Sequence, residues 1–132
     1  MLRSAIGPGF DDDARRNQHR DQIYHWYRQK ADLYLKKRTH LYSRIMGRIP
    51  KAIMVKHYKA QWGACSASGD INYDWRIVIA PTRIVDYLVI HELSHLRYRG
   101  HGPKFWRYVA EYADDYRERR SWLRDNGHTL VM

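Results

Sequence analysis

Cysteine is almost missing from this chain: Cys65 is the single one among 132 residues. That excludes an internal disulfide framework and a structural zinc site built from several thiolates. No apolar run approaches the ~20 residues that a membrane-spanning helix needs. No secretory signal or lipidation motif is visible either, so a cytoplasmic protein without membrane contact is the expectation. Acidic residues are scarce, with 14 Asp and Glu against 24 Lys and Arg for a net charge of +10. Phenylalanine is rare as well, 2 residues beside 11 Tyr and 5 Trp. The aromatic surface therefore carries polar tips, which suits a core lying close to a groove, although simple amphipathic packing accounts for most of these residues.

What is present is unevenly placed. Residues 14–59 hold 13 Lys or Arg against Asp21 and Asp32, a balance of +11, whereas residues 60–132 hold 10 against 9, a balance of +1. A basic stretch of this kind is either a solvated helix face or a surface for phosphates and acidic partners. The absence of helix-turn-helix, zinc-finger and RNP signatures argues against sequence-specific reading. Any nucleic-acid binding through residues 15–59 is accordingly expected to be weak and nonspecific.

The nearly neutral half contains the most informative segment, HELSHLRYRGH, His91–His101. On a helix, His91 and His95 lie one turn apart on one face and can offer imidazole nitrogens to one tetrahedral metal ion. Glu92 follows at about 100°, which aims its carboxylate at the open side of the metal, where it can deprotonate a zinc-bound water. Random placement of this chain's 8 His and 3 Glu gives an HExxH on the order of 0.01 times, so chance explains the motif poorly. The apolar run Ile84, Val85, Leu88, Val89 and Ile90 would bury the helix and hold its ligands rigidly. Gly100 is expected to end it in a left-handed conformation and Pro103 to open the next helix, so that the chain turns at His101, a third ligand. A metzincin arrangement is disfavoured, because Tyr98 occupies its glycine position and no Met follows before Met132.

The rest of the chain frames this motif. Residues 1–13 read as a flexible terminus, with Asp11–Asp13 favouring a helix start, and residues 14–132 as a single domain. Apolar positions at Ile23, Tyr27, Ala31, Tyr34, Leu41 and Ile45 predict a long amphipathic helix ending near Gly47. Ala52–Lys59 and Ile71–Ile79 read as strands joined through a turn at Ser66–Asp70. The motif helix is expected from a cap at Thr82 to about Arg99, followed by a C-terminal helix with Phe105, Trp106, Val109, Ala113 and Tyr116 on its core side. A late turn is expected at Asn126–Gly127. Together these predict an α+β fold with helices on one side of a small antiparallel sheet.

Several segments carry a family resemblance: QWGACS (Gln61–Ser66), GDINYDWRIVIAP (Gly69–Pro81), IVDYLVIHELSHL (Ile84–Leu96), HGPKFW (His101–Trp106) and the helix tract WYRQKADLYLKKR (Trp26–Arg38). In this order they resemble the YgjP-like metallopeptidase family, and more distantly the WLM and SprT-like proteases of the zincin superfamily. The resemblance implies a zincin-like peptidase with one zinc ion on His91, His95 and His101 and Glu92 as the catalytic base. Family members usually carry a further β-rich region before the long helix. This chain begins almost at that helix and so resembles a minimal catalytic portion or a shortened relative.

Other residues remain candidates for supporting roles. Cys65 is either an inhibitory thiolate near the metal or a small buried residue. His128 is a possible oxyanion stabiliser or spare ligand, or a surface histidine. Asp70, Asp74 and Asp86 are candidates to orient a ligand imidazole through its other nitrogen. Arg76 either polarises a substrate carbonyl or forms a structural ion pair, and a strand edge along residues 72–79 would align an extended peptide substrate. The leading reading is a zinc-dependent hydrolase, most simply a peptidase. The competing readings are a nucleic-acid-associated module with a mainly structural zinc, and a protease recruited to DNA by its basic helix. The intact Glu92 argues against the structural-zinc reading, because such a site has no use for a base beside an open coordination position.

Overall fold

The computed structural model describes residues 8–58 and 61–130. The elements in order are helix α1 (Pro8–Met46), strands β1 (Ala52–Lys56), β2 (Gly63–Cys65) and β3 (Asp70–Asp74), a 3-10 segment Trp75–Ile79, and helices α2 (Thr82–Ser94), α3 (Pro103–Tyr112) and α4 (Tyr116–Asn126). A short 3-10 turn, Gly127–Thr129, follows α4. The fold is α+β, as the sequence predicts. The chain falls into two compact units, Met1–Lys30 and Ala31–Met132.

In the first unit α1 already includes Pro8, ahead of the expected start at Asp11–Asp13, while the remainder of the expected flexible terminus, residues 1–7, lies outside the described residues. Ile23 and Trp26 in this unit are half exposed.

Within the second unit α1 buries Ala31, Leu35, Thr39, Ser43 and Met46, a stripe with near-fourfold spacing. This differs from the predicted face: Ile45 is 55% exposed, whereas Thr39 and Ser43 are buried. The two hydroxyls bury without leaving an unpaired dipole, since Thr39 donates to the Leu35 carbonyl at 2.7 Å and Ser43 to the Arg48 carbonyl. Thr39 also lies 2.9 Å from the hydroxyl of the buried Tyr73. Gly47 ends the helix with φ +65°, a conformation that costs a residue without a Cβ little.

The sheet is mixed, not antiparallel. Its order is β1-β3-β2, with β1 parallel to β3 and β2 antiparallel to it. The unpredicted strand β2 causes this. A tight turn at Ser66–Gly69, in which Gly69 adopts φ +93°, folds β2 back along β3. The remaining edge of β3 is then taken by β1, running parallel. The strand expected over Ile71–Ile79 stops at Asp74, whose carboxylate accepts from the Arg76 amide and opens the 3-10 segment. Trp75 and Ile77 remain buried in that segment, so the alternating apolar pattern continues although the backbone has changed.

Helix α2 forms the centre of the second unit. Ile84, Val85, Leu88, Val89, Ile90 and Leu93 are all buried in a core shared with β3, α1 and α3. Its N-cap is Pro81, and Thr82 instead accepts a hydrogen bond from Tyr34 at 3.2 Å. The helix ends at Ser94, five residues before Arg99, because His95, Leu96 and Arg97 donate to carbonyls three residues back and tighten the last turn. Gly100 does not adopt a left-handed conformation. The single C-terminal helix of the sequence reading is two helices, broken at Ala113–Asp115. Phe105, Val109 and Ala113 are buried as expected, with Trp106 and Tyr116 packed at the core's edge.

Candidate metal centre and catalytic residues

The end of α2 and the start of α3 bring three imidazoles together. His91 and His95 are one turn apart, and the chain turns through residues 95–102 to return His101 over them. The His101 Nε2 lies 3.0 Å from His95 Nε2 and 3.3 Å from His91 Nε2. Tetrahedral ligands about 2.0–2.1 Å from a zinc ion stand about 3.3 Å from one another. The donor set therefore suits a tetrahedral metal with a fourth position open, and these three residues form a possible metal cluster.

Protonation supports the same use. Burial, reinforced by the neighbouring His95 and His101, depresses His91 to about 3, and burial also lowers His95. Both imidazoles are thus held neutral, the form that binds metal. The Nδ1 of His95 lies 2.9 Å from the Tyr98 carbonyl, which can only accept, so the proton resides there and Nε2 keeps its lone pair. For His91 the corresponding neighbour is the Tyr87 hydroxyl, at 3.4 Å from Nδ1. These orienting groups were not among the sequence candidates. A backbone carbonyl has no sequence signal, whereas Tyr87 could have been found four residues before His91 on the same helix face.

Aromatic rings fix the imidazole planes. The buried Phe105 stacks on His95, with centroids 4.4 Å apart, and meets His91 and His101 edge-on at 5.1 Å. Trp106 stacks against His101 and also lies near-parallel to Tyr116. Pro103 at the first turn of α3 places both rings, which gives the HGPKFW segment its structural meaning.

Glu92 is buried, and its carboxylate faces β2 rather than solvent. Burial raises its pKa to about 8, against the pull of Arg99. A divalent cation on the three nitrogens would draw the carboxyl back toward its ionised form. Arg99 fastens the turn to the strand, donating to the His95 carbonyl at 3.0 Å and the Cys65 carbonyl at 2.8 Å.

The remaining candidates lie elsewhere. Asp86 accepts from the Nε and Nη2 of Arg38, at 2.8 and 2.7 Å, and from the Tyr42 hydroxyl. Asp74 is paired with Arg76 at 2.6 Å, and Asp70 accepts from Ser68. None of the three aspartates reaches a ligand imidazole, because each is engaged in its own ion pair or turn. Arg76 accordingly has the structural pairing. Cys65 is half-buried on β2 beside Arg99, and burial pushes its thiol up. His128 is exposed and outside the nitrogen cluster. The expected substrate edge over residues 72–79 is not available: β3 is paired on both sides, and the edge beside Glu92 belongs to β2.

Two cavities are lined by residues of the site or by their immediate neighbours. One of about 520 Å³ is lined by Trp62, Arg76, Tyr87, Arg120, Leu123 and His128 among others. Another, of about 590 Å³, opens beside His101, Trp106 and Arg117. Burial raises Tyr87 to about 12, partly offset by the charge of Arg120.

No helix among the described residues is long and apolar enough to cross a membrane. Among solved structures the chain resembles the metallopeptidase zymogen of Pyrococcus abyssi abylysin, at 21% identity and a TM-score of 0.59 over 68% of this chain and 93% of that one. It also resembles the zymogen of Methanocaldococcus jannaschii jannalysin, at 17% identity and a TM-score of 0.61 over 74% and 97%. At these identities the likeness concerns the fold. A search of curated proteins returns no match. The YgjP-like metallopeptidase domain model matches residues 2–126, nearly the whole sequence, and the chain therefore belongs to the YgjP-like metallopeptidase family.

Proposed function

We propose that this chain is a zinc-dependent peptidase in which His91, His95 and His101 hold one zinc ion and Glu92 is the general base. The observation that carries this reading is the convergence of three Nε2 atoms, at 3.0 and 3.3 Å from the central one, beside a buried carboxylate. A zinc ion there supplies Lewis acidity, polarising the scissile carbonyl and acidifying water. Glu92 accepts a proton from the attacking water as the new C–O bond forms. It then delivers that proton to the leaving amine as the C–N bond breaks.

Strand β2 is the aligning edge for an extended peptide. The Trp62 carbonyl and the Ser66 amide bond to β3. Alternation along a strand then turns the backbone groups of Gly63 and Cys65 to the opposite edge, where the Cys65 carbonyl already accepts from Arg99. The groups of Gly63 face that edge while Glu92 lies on the side of the same residue where a Cβ would stand, so strand addition there would bring a peptide bond near the base.

Metal analysis of the purified protein and of three single His→Ala variants tests the site. The expected outcome is one zinc per chain in the parent and loss of tight binding in each variant. Retention of full zinc in all three would remove the ligand assignment. Cleavage of an unstructured protein by the zinc-loaded parent, abolished by chelation, tests the activity.

A further inference from the structure

The cavity of about 520 Å³ is connected to the three histidines and Glu92 through two of its lining residues, Trp62 and Tyr87. Trp62 directly precedes Gly63, which faces Glu92, and Tyr87 approaches His91 through its hydroxyl. Another wall is α4. Arg117, Arg120 and Arg124 recur on this helix at spacings of three and four and so share one face. Arg120 and Arg124 line both this cavity and an adjoining one of about 390 Å³ against Trp106 and Tyr116.

The charges around the cavity do not cancel. Asp74 contributes a carboxylate, but Arg76 pairs with it at 2.6 Å. Arg124 has Asp125 at 3.1 Å. Arg120 is exposed, and among the described residues no carboxylate pairs with it; its guanidinium lies over the Trp106 ring, 4.8 Å from the centroid. A guanidinium held over a ring by its cationic carbon still has N–H donors to offer, and their fork matches the two oxygens of a carboxylate. The half of the chain whose charges sum to only +1 thus presents an uncompensated cation one aromatic ring away from His101.

We propose that this cavity is a substrate subsite for a carboxylate next to the scissile bond, with Arg120 as its principal partner and Arg124 as support. The inference rests on the peptidase reading and names the class of peptide it favours. The carboxylate has two possible sources, an Asp or Glu side chain or the free C-terminus of a peptide. A neutral apolar side chain would use the Trp62 and Leu123 surfaces but leave Arg120 unanswered.

The test uses zinc-loaded full-length protein and matched fluorogenic peptides carrying Asp, Asn, Leu or Lys at each position flanking the cleaved bond. A second set differs in having a free or an amidated C-terminus. An acidic group is expected to raise kcat/KM about tenfold or more over Asn, mainly through KM. Arg120→Gln should bring that ratio near one, and Arg120→Glu should shift the preference to Lys. Whichever set carries the effect identifies the source of the carboxylate. Zinc-loaded Glu92→Gln protein, read by tryptophan fluorescence, should rank the same peptides by affinity without turnover. Cleavage with no advantage for a carboxylate in either set, an advantage for Leu over Asp, or a ratio untouched by Arg120→Gln would overturn the subsite and leave the peptidase reading standing. Failure to bind or cut any peptide would overturn the peptidase reading, and the subsite with it.

Discussion

Gly63 faces the carboxylate of Glu92 so closely that a Cβ at position 63 would stand 2.9 Å from Oε2 and 3.2 Å from Cγ. The glycine is required here by space and not by backbone conformation, since its φ is not positive. Strand β2 can therefore approach the candidate base as closely as a backbone allows. Gly63→Ala should displace the Glu92 side chain without touching a metal ligand. The expected result is a fall in kcat of about 10- to 100-fold, the scale of a misplaced catalytic group, at unchanged zinc content. Full activity in that variant would mean that the carboxylate does not act from its present position.

The ion pair between Arg38 and Asp86 ties α1 to α2, with both carboxylate oxygens used and Tyr42 adding a third donor. Asp86 is buried, so removing its partner leaves a carboxylate without compensation. Arg38→Ala should cost about 1.5–3 kcal/mol in denaturant unfolding, more than a typical exposed charge. A loss below about 0.5 kcal/mol would place the pair among exposed ones that contribute little.

Arg38 is thus committed to the fold, and a test of the basic segment must avoid it. Duplex DNA binding by residues 15–59 is expected to be weak and to fall by about 0.9 logarithmic units per logarithmic unit of salt for each phosphate neutralised. Joint reversal of Lys36 and Lys37 to Glu should lessen that slope and leave small-peptide cleavage intact. Should the reversed protein bind DNA as the parent does at every salt concentration, these lysines are a solvated helix face.

The motif end of the molecule was legible because its information is local. Spacing alone placed His91 and His95 on one helical face, and Pro103 marked the return of the chain that brings His101 back. The sheet was not legible in the same way. Gly63–Cys65 is too short to alternate visibly, yet it makes the sheet mixed and covers the β3 edge that the sequence offers to a substrate. Asp74 ended the following strand through a side-chain hydrogen bond while the apolar alternation at Trp75 and Ile77 continued, so pattern and backbone parted. On α1 apolar spacing does not reveal Thr39 and Ser43, whose hydroxyls are satisfied by carbonyls of their own neighbourhood. The aspartates suggested as orienting groups were chosen by chemistry. None of them faces an imidazole, because Arg38, Arg76 and Ser68 engage them instead.

The most direct measurement of the central claim is peptide hydrolysis by zinc-loaded Glu92→Gln beside the parent, with zinc content determined in the same preparations. The substitution keeps the size of the side chain and removes its basicity. A general base contributes typically about 10² to 10⁴ in rate, so turnover should fall by at least about a hundredfold while both proteins carry one zinc and unfold alike. Hydrolysis at the parental rate by the zinc-loaded variant would contradict the account, because the buried carboxylate beside the three histidines would then take no part in the chemistry.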